Sequence, residues 1–341
     1  MPPKSSTSTT ATPFTRRRLL AAGGALGLTS ALAACGDSGS GGSGGSWVFT
    51  DDRDKKARVD GTPRRVVAYV GVAAALHDYG VADRVVGVFG PTKAKNGKPD
   101  VLAGDLDVDK VQILGNTYGQ FNVERYAKLR PELLVTHMFL PGDLWYVPAE
   151  SRKKILKLAP SVGIKTADTS MLTTIKRYAS LADKLGADLR STEVKRAKAR
   201  FQKAADHLTK VTGGKSVRVL AGAGSQDLFY VSDPNANADL RYFKQLGVDF
   251  VQPRKVSEQG FYEELSWENA DRYDADLILL DNRTQWLQPD ALKSKPTWRD
   301  LPAVKAGQIT PWMAEPIYSY ASAAPLLEKL AKAIGDAKKI T

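Results

Sequence analysis

The stretch RVVAYVGVAAALHDYGVADRVVGVF, residues 65–89, indicates the fold of this 341-residue chain. Residues 65–70 are rich in β-branched side chains and predict a strand. The apolar run over residues 72–79 predicts a helix, because Gly80 follows it as a typical C-cap. A second β-branched run, residues 85–89, predicts the next strand. A strand, a helix and a strand in this order predict parallel pairing in an α/β sheet.

The same alternation occurs on both sides of two long amphipathic helices, predicted over residues 171–185 and 192–211. The order therefore predicts two Rossmann-like α/β lobes with parallel sheets and a helical connector between them. The predicted divisions are a Tat-type lipoprotein signal peptide (1–34), a lipidated Cys with a Gly/Ser tether (35–46), an N-terminal lobe (47–170), a connecting helix (171–186) and a C-terminal lobe (187–341).

The N-terminus has the pattern of an export signal. Thr15-Arg16-Arg17-Arg18-Leu19-Leu20 is basic and contains a twin arginine, which is typical of a Tat-type signal. The apolar run from Leu19 to Ala34 that follows is too short to span a bilayer comfortably. It ends in small residues, as a cleavable secretion signal does. We therefore expect an exported protein.

Cys35 is the only cysteine in the chain, so it has no partner for an intrachain disulfide. The segment Leu32-Ala33-Ala34-Cys35 resembles the lipobox of bacterial lipoproteins, and residues 36–46 form a flexible Gly/Ser tether. A buried free thiol is the alternative interpretation, but Cys35 separates an apolar signal from a linker. The resemblance implies lipidation at Cys35 and a lipid anchor on the outer face of the cytoplasmic membrane.

The chain is basic, with a formal net charge of +12. Lys4 and Arg16–Arg18 contribute four of these charges, and the remaining cations are scattered through helices such as the one that carries Lys195–Lys210. Such an excess is compatible with nucleic acid, anionic lipid or an acidic ligand. We interpret it as a solvated face near an anionic membrane, because an exported protein meets little nucleic acid.

The sequence contains little that indicates a catalytic or metal-binding site. The three histidines, His77, His137 and His207, form no His-Glu-x-x-His pattern, and no Cys-x-x-Cys pattern occurs, so no protein-ligated metal site is expected. Gly41-Gly42-Ser43-Gly44-Gly45 matches the Gly-x-Ser-x-Gly of hydrolases but lacks the flanking strand and helix. We therefore expect no enzymatic activity. An exported hydrolase is the alternative from another class, and it would show strongly perturbed acids or bases in a cleft.

Several segments resemble the siderophore and cobalamin class of ABC-importer binding proteins. They are Thr50-Asp51-Asp52, Pro63-Arg64-Arg65-Val66-Val67, Asn122-Val123-Glu124 with Leu129-Arg130-Pro131-Glu132-Leu133-Leu134, Ser266-Trp267-Glu268 with Tyr273–Ile278, and the closing residues 298–309. The resemblance covers the chain from Phe49 to its end. It implies two lobes joined by a single long connecting helix, a monomer, an ABC permease dimer with its ATPase as the partner, and no cofactor. Iron would arrive inside a bound ferric siderophore.

Candidate ligand-binding residues follow the strands, where α/β sheets place their ligands. In the first lobe they are Tyr118, His137, Met138, Phe139, Trp145 and Tyr146, and in the second Tyr230, Asn237, Arg283, Trp286, Trp312, Tyr318 and Tyr320. Aromatic faces there could stack on a flat or greasy ligand while their polar tips orient it. For Phe139 and Tyr230, filling the core is an equally good interpretation. For Trp286 and Trp312 the cleft is favoured, because each follows an apolar strand in a polar loop.

The resemblance also bears on the ligand. Tyr118 and Asn237 occupy positions where relatives often carry an arginine, and Tyr318 corresponds to an aromatic pocket residue. Few cations are left in the cleft, whereas a triply anionic catecholate complex would need several to offset its desolvation. A ferric hydroxamate such as a ferrioxamine is therefore favoured, and haem, cobalamin or another iron chelate is the alternative within the class.

Glu124 and Glu268 each begin a predicted helix, one in each lobe. An acid at a helix N-terminus is favoured by the helix dipole. A role in stabilising the helix is therefore the alternative interpretation of each residue. In the class that the chain resembles, the matching glutamates dock onto arginines of the permease. The resemblance therefore implies a permease-docking pair.

Overall fold

The computed structural model describes residues 45–341. The predicted signal peptide, Cys35 and the tether up to residue 44 lie outside the described residues. The strands are β1 (Ser46–Thr50), β2 (Lys56–Asp60), β3 (Val66–Tyr69), β4 (Val85–Phe89), β5 (Gln112–Ile113), β6 (Leu133–Met138), β7 (Ser161–Lys165), β8 (Arg218–Gly224), β9 (Leu228–Ser232), β10 (Asp249–Phe250), β11 (Tyr262–Ser266), β12 (Leu277–Asp281) and β13 (Ile309–Trp312).

The helices lie between these strands and after them. They are α1 (Val70–Asp78), α2 (Val123–Lys128), α3 (Arg152–Leu158), α4 (Met171–Lys184), α5 (Thr192–Gly214), α6 (Ala238–Gln245), α7 (Pro289–Leu292), α8 (Pro296–Asp300), α9 (Pro302–Lys305) and α10 (Tyr320–Asp336). Short 3-10 helices cover Ala82–Arg84, Val101–Ala103 and Trp267–Asn269. In the part of the chain that the structure covers, no helix is long and apolar enough to cross a membrane.

The first sheet has the order β5-β4-β3-β6-β7, and all its strands are parallel. Every residue of β3 is fully buried, as expected for a central strand covered on both faces. The hairpin β1-β2 packs beside this sheet: the Asp51 carboxylate after β1 accepts the Gly163 N–H of β7 at 2.9 Å. We call this part of the molecule the first lobe. The strand–helix–strand prediction for residues 65–89 is confirmed.

The second sheet, the centre of the second lobe, has the order β11-β9-β8-β12-β13, with β10 also paired to β8. The pairs β8-β12, β12-β13 and β8-β10 are parallel, whereas β9 is antiparallel to both β8 and β11. The expected α/β fold is confirmed, but this sheet is mixed where a parallel sheet was expected. Only three residues separate β8 from β9, too few for the crossover that parallel strands need.

The segment between the two sheets contains two helices, α4 and α5, where the resemblance implied one. The predicted connecting helix, 171–186, corresponds to α4, which packs against α1 and α6. α4 ends beside the first lobe, since the Trp47 indole N–H donates to the Lys184 carbonyl at 2.7 Å. α5 then runs from there to β8. The placement of the lobe boundary at 171–186 stays a prediction.

The C-terminal helix α10 runs beside α5 in the same direction. Arg200 of α5 donates to Glu328 of α10 at 2.7 and 2.8 Å, and further along Lys215 donates to the Ala337 carbonyl at 3.1 Å. α10 begins at the first lobe, where the hydroxyl of its N-cap Ser319 donates to the Asp78 carboxylate. Both helices therefore lead from the first lobe to the second.

Candidate ligand-binding cleft

A cavity of about 210 Å³ lies between the lobes, at the carboxyl ends of strands from both sheets. Its first-lobe wall comes from the segment before α2 and the segment after β6: Tyr118, Phe139, Leu140, Asp143 and Trp145. The second-lobe wall comes from the segments after β9, around β11 and after β12 and β13: Asn237, Gln259, Phe261, Tyr262, Arg283, Ala314 and Glu315. This is the location that the strand-end rule for α/β sheets predicts.

Aromatic rings form most of the first-lobe wall. The centroid of Trp145 lies 4.8 Å from that of Phe139, 5.7 Å from Tyr118 and 5.4 Å from Tyr146. Tyr118 is 67% exposed, so its ring faces solvent at the cavity mouth. Tyr146 has a φ of +61°, a left-handed backbone that non-glycine residues rarely adopt, and its buried ring packs 5.4 Å from Tyr69. Burial raises the pKa of Tyr146 to about 12, so its hydroxyl stays protonated.

The second lobe contributes a smaller aromatic group. The ring centroid of Phe261 lies 6.1 Å from that of Phe139, so these two rings are in contact across the cleft. Behind the cavity, Tyr230 packs against Tyr262 at 5.9 Å and against Trp286 at 5.0 Å. Burial raises the pKa of the Tyr262 hydroxyl, which therefore remains a neutral hydrogen-bonding group.

Arg283 is held between two carboxylates. Asp281, the last residue of β12 and fully buried, accepts from Arg283 Nε at 3.0 and 3.1 Å and from Nη2 at 2.6 Å. Glu315, in the loop between β13 and α10, accepts from Arg283 Nη1 on the other side. Such charge-assisted, multidentate pairing fixes the guanidinium in one orientation. The group of Arg283, Asp281 and Glu315 carries one more negative charge than positive.

Glu315 also connects the two lobes. Its Oε2 accepts the Tyr69 hydroxyl at 2.6 Å and the Trp145 indole N–H at 3.2 Å, both from the first lobe. Burial and the neighbouring Glu315 carboxylate raise the pKa of Tyr69. A carboxylate so deeply buried is normally hydrogen-bonded, and Glu315 has a donor from each side of the cleft.

The predicted site residues divide into three groups. Tyr118, Phe139, Trp145, Asn237 and Arg283 line the cavity. Tyr146, Tyr230 and Trp286 lie behind it and support its rings. The structure places the others in packed regions away from the cavity: His137, Met138, Trp312, Tyr318 and Tyr320.

His137 is a core residue in this structure, with 1% of its surface exposed. Its Nδ1 lies 2.5 Å from the Tyr178 hydroxyl, and its ring packs 5.4 Å from that of Tyr318. Burial lowers the pKa of His137 to about 3, which keeps the imidazole neutral. Met138 points to the other face of β6, against Gly163, where an added Cβ would come within 2.7 Å of its sulfur. Both faces of β6 are covered, so a position near its end does not bring either side chain to the cleft.

Trp312 and Tyr320 also lie away from the cleft. The Trp312 indole N–H donates to the buried Asp239 carboxylate of α6 at 2.6 Å. Tyr320, the first residue of α10, packs 5.5 Å from Phe201 of α5. Tyr318 stacks on Tyr178 of α4 at 6.1 Å, with nearly parallel rings. The sequence located these residues near strand or helix ends, but gave no information on which face of the second sheet they would cover.

Asn237 lies where the lobes touch. Its backbone pairs with Ala167 of the first lobe in an isolated antiparallel bridge. Its side-chain Nδ2 is buried and has no hydrogen-bond partner among the described residues, and the same holds for Trp286 Nε1. Unused buried donors are costly unless a partner arrives, which is what a ligand with oxygen acceptors would supply.

Sequence reasoning missed Gln259, Phe261, Tyr262 and Glu315. Phe261 and Tyr262 lie at the start of β11, the antiparallel edge strand of the second sheet, which the parallel prediction did not include. Glu315 lies three residues after β13 in Ala314-Glu315-Pro316, a strand-end position that the search for aromatic residues passed over.

The two predicted docking acids, Glu124 and Glu268, are both exposed. Glu124 is in the first turn of α2, whose N-cap Asn122 accepts the Arg125 N–H at 2.9 Å. Glu268 is in the 3-10 helix after β11, where a backbone hydrogen bond and the Ser266 hydroxyl hold its pKa below the usual value. Neither residue lines the cavity. Across residues 45–341, no cluster of three His, Cys, Asp or Glu side chains is arranged to hold a metal ion.

Comparison with solved structures gives a relative over nearly all of the described chain. The crystal structure of DesE, a ferric-siderophore receptor protein from Streptomyces coelicolor, is 51% identical in sequence with a TM-score of 0.83. The match covers 86% of this chain and 100% of that one.

Two curated proteins of Bacillus subtilis (strain 168) are more distant relatives. The Fe(3+)-citrate-binding protein YfmC is 25% identical over 76% of this chain and 76% of its own length. The iron(3+)-hydroxamate-binding protein FhuD is 25% identical over 89% of this chain and 92% of its own. The family model described as periplasmic binding protein matches residues 66–316, which span both sheets and the cleft. Together with the two-lobed architecture, these matches establish that the chain belongs to the periplasmic binding protein family, in the class of ABC-importer proteins that includes ferric-siderophore binders.

Proposed function

We propose that this chain is the extracytoplasmic binding protein of an ABC importer and captures a ferric siderophore, with a hydroxamate type such as a ferrioxamine favoured. The similarity to DesE supports a ferric siderophore. The charge of the cleft is the observation that supports a hydroxamate siderophore over other types. Its arginine is already neutralised by buried carboxylates, and the rest of its wall is largely aromatic.

The overall charge of the iron complex separates the candidate ligands. Three hydroxamates balance the charge of Fe³⁺, so a ferric trihydroxamate is neutral unless its backbone carries another charge. A tricatecholate complex is triply anionic and would have to be desolvated beside Asp281 and Glu315, with no free cation among the described cavity-lining residues to offset the cost. Ferric citrate complexes meet the same obstacle. An aromatic wall with the unused Asn237 amide donor suits the hydroxamate complex best.

The cleft residues would bind the complex through its organic shell. Trp145, Phe139 and Tyr118 offer ring faces to the apolar backbone of the siderophore. The Asn237 amide is a donor for hydroxamate oxygens. Iron stays ligated by the siderophore, and the protein contributes no ligand. A cavity of about 210 Å³ is smaller than typical ligand pockets of about 300–1,000 Å³, so Phe139 and Phe261 must separate as the complex enters.

Titration of the purified protein with a ferric trihydroxamate tests the proposal. We expect quenching of tryptophan fluorescence with submicromolar affinity, about −8 kcal/mol or better. Trp145→Ala should lose roughly 1–3 kcal/mol, because it removes an aromatic surface and a donor to Glu315. Trp312→Phe is the matched control, and its affinity should be unchanged because Trp312 lies outside the cleft. Tight binding of haem, cobalamin or ferric citrate, with no binding of several ferric hydroxamates, would reject the hydroxamate assignment.

We also propose that Cys35 carries the lipid anchor. The support is its place in the sequence, between the apolar signal and the Gly/Ser tether. A diacylglycerol on Cys35 supplies membrane affinity that the tether cannot provide. Cys35→Ala should therefore leave the protein exported but released from cells. Retention of the variant on washed membranes at high salt would contradict the anchor.

A further inference from the structure

Charges are unevenly distributed around the cleft. Among the described residues that line the cavity, Arg283 is the only cation, while Asp143 and Glu315 are acids. Asp143 is paired with Arg152 outside the cavity and adds no net charge. Asp281 lies behind the wall and alone is enough to neutralise Arg283, which it contacts through both carboxylate oxygens. Arg283 is thus paired with two carboxylates, one negative charge is in excess, and Glu315 is the carboxylate of the two that lines the cavity.

Glu315 lies where its negative charge can interact with a ligand in the cavity. Glu315 lines the cavity, yet only 6% of its surface is exposed, so little water screens it. Glu315 shares Arg283 with Asp281, and its other partners, Tyr69 and Trp145, are neutral donors, so one negative charge of the two carboxylates is not cancelled. In such partly desolvated surroundings, a unit charge several ångströms away interacts far more strongly than it does in water.

We propose that Glu315 is a specificity-determining residue that selects iron chelates by net charge, favouring a chelate with a cationic group over its neutral or anionic counterpart. The inference rests on the proposed function, since it assumes that the cleft binds a ferric siderophore. It adds the charge class of the ligand and the residue that sets it. A free ammonium group on the siderophore backbone would gain from Glu315, whereas a free carboxylate at the same place would be repelled.

A purely structural role for Glu315 predicts a different result. If Glu315 only orients Arg283 and Trp145, its replacement should weaken every chelate by the same factor. If it sets charge preference, its replacement should change the order of affinities. Glu315→Gln keeps the size of the side chain and removes its charge. Glu315→Asp keeps the charge but shortens the reach to Tyr69 and Trp145.

The experiment uses three linear ferric trihydroxamates that share one iron-binding backbone and differ in the terminal group: an ammonium, an acetamide or a carboxylate. Isothermal titration of the wild-type protein should give affinities that fall in that order, by roughly tenfold for each unit of charge. In Glu315→Gln the three affinities should converge to within roughly twofold to threefold. Glu315→Asp should bind all three more weakly but preserve the order. Glu193→Gln, an exposed acid on α5, should behave as wild type.

The outcomes separate this inference from the proposed function. Equal wild-type affinity for the three chelates would overturn the inference while leaving hydroxamate binding intact. The same would follow if Glu315→Gln weakened all three by one factor. Binding of none of the three by the wild type would instead reject the proposed ligand. Thermal melting of each variant checks folding, and if Glu315→Gln fails to fold, equal wild-type affinities for the three chelates would still overturn the inference.

Discussion

Two deeply buried side chains, His137 in the first lobe and Asp239 in the second, have pKa values that are shifted in opposite directions. Burial lowers the pKa of His137 from 6.5 to about 3. Burial raises the pKa of Asp239 from 3.8 to about 7, although the Trp312 indole N–H donates to one of its oxygens, and the nearby Asp281 carboxylate adds to the rise. The other oxygen, Oδ1, has no partner among the described residues.

The signs of these shifts predict opposite pH dependences of stability. Between about pH 3 and 6.5 the unfolded state protonates His137 and the folded state does not, so this residue makes stability rise with pH. Between about pH 4 and 7 the folded state holds the Asp239 proton that the unfolded state releases, so this residue makes stability fall with pH. In the shared window the two contributions largely cancel.

Single substitutions should reveal each contribution. Relative to wild type, Asp239→Asn should gain stability as the pH rises from about 4 to 7, and His137→Gln should lose it as the pH rises to 6.5. Each slope should approach about 1.4 kcal/mol per pH unit, the value for one proton. Urea unfolding between pH 4.5 and 7.5 measures both differences. Parallel pH profiles for wild type and either variant would show that the group is not perturbed as described.

At this scale the sequence predicted where site residues would lie along the chain but not which way they would face. Arg283 and Trp145 follow strand ends and line the cleft, as expected. Trp312 also ends a strand, yet its indole reaches Asp239 outside the cavity. Strand ends converge on one edge of a sheet, but a side chain there can turn toward either covering layer. Glu315 also follows a strand end, but its contacts with Tyr69 and Arg283 could not be predicted, because both partners are distant in the chain.

Elements that depend on local patterns were predicted well. The strands β3 and β4 and the helices α1, α4 and α5 lie within a few residues of their expected bounds. Each is specified by its own periodicity and flanking residues. The antiparallel strands of the second sheet were not expected, because the choice between parallel and antiparallel depends on the length of the connection rather than on strand composition.

The pairing of α5 with α10 is a second feature beyond local pattern. The amphipathic helix α5 was predicted, but nothing in its periodicity indicated that it would lie beside α10. Phe201 of α5, packed against Tyr242 and Tyr320, provides the apolar contact, and Arg200 with Glu328 adds an exposed ion pair. Exposed ion pairs contribute little to stability, so the apolar packing between α5 and α10 contributes more than the Arg200–Glu328 pair.

At the scale of the molecule, Glu124 in the first lobe and Glu268 in the second are exposed acids outside the cavity. We propose that they dock the protein onto basic groups of the permease dimer. Glu124→Ala and Glu268→Ala should leave ligand affinity nearly unchanged and reduce uptake by cells, with the double variant worst. Charge reversal to Lys should be more damaging, because repulsion is added to the lost attraction.

Isothermal titration beside uptake of radiolabelled iron, for the same variants, makes the comparison. Glu193→Ala is the matched control, an exposed acid that also sits in the first turn of a helix and should leave uptake unchanged. Variants of Glu124 or Glu268 that lose affinity and uptake together would place these acids in ligand binding and end the docking assignment.

The two helices that run together from one lobe to the other affect how a transporter could distinguish a loaded molecule from an empty one. α5 alone spans 23 residues, about 34 Å of continuous helix, and α10 lies beside it for much of that length. Bending such a pair strains many backbone hydrogen bonds at once, whereas a loop hinge needs only a few dihedral changes. We therefore expect only a small movement of the lobes on ligand binding, too small to be the main difference between the loaded and the empty protein. We therefore expect the permease to recognise the loaded protein at the mouth of the cleft, through the exposed ring of Tyr118 and the surface of the bound ligand.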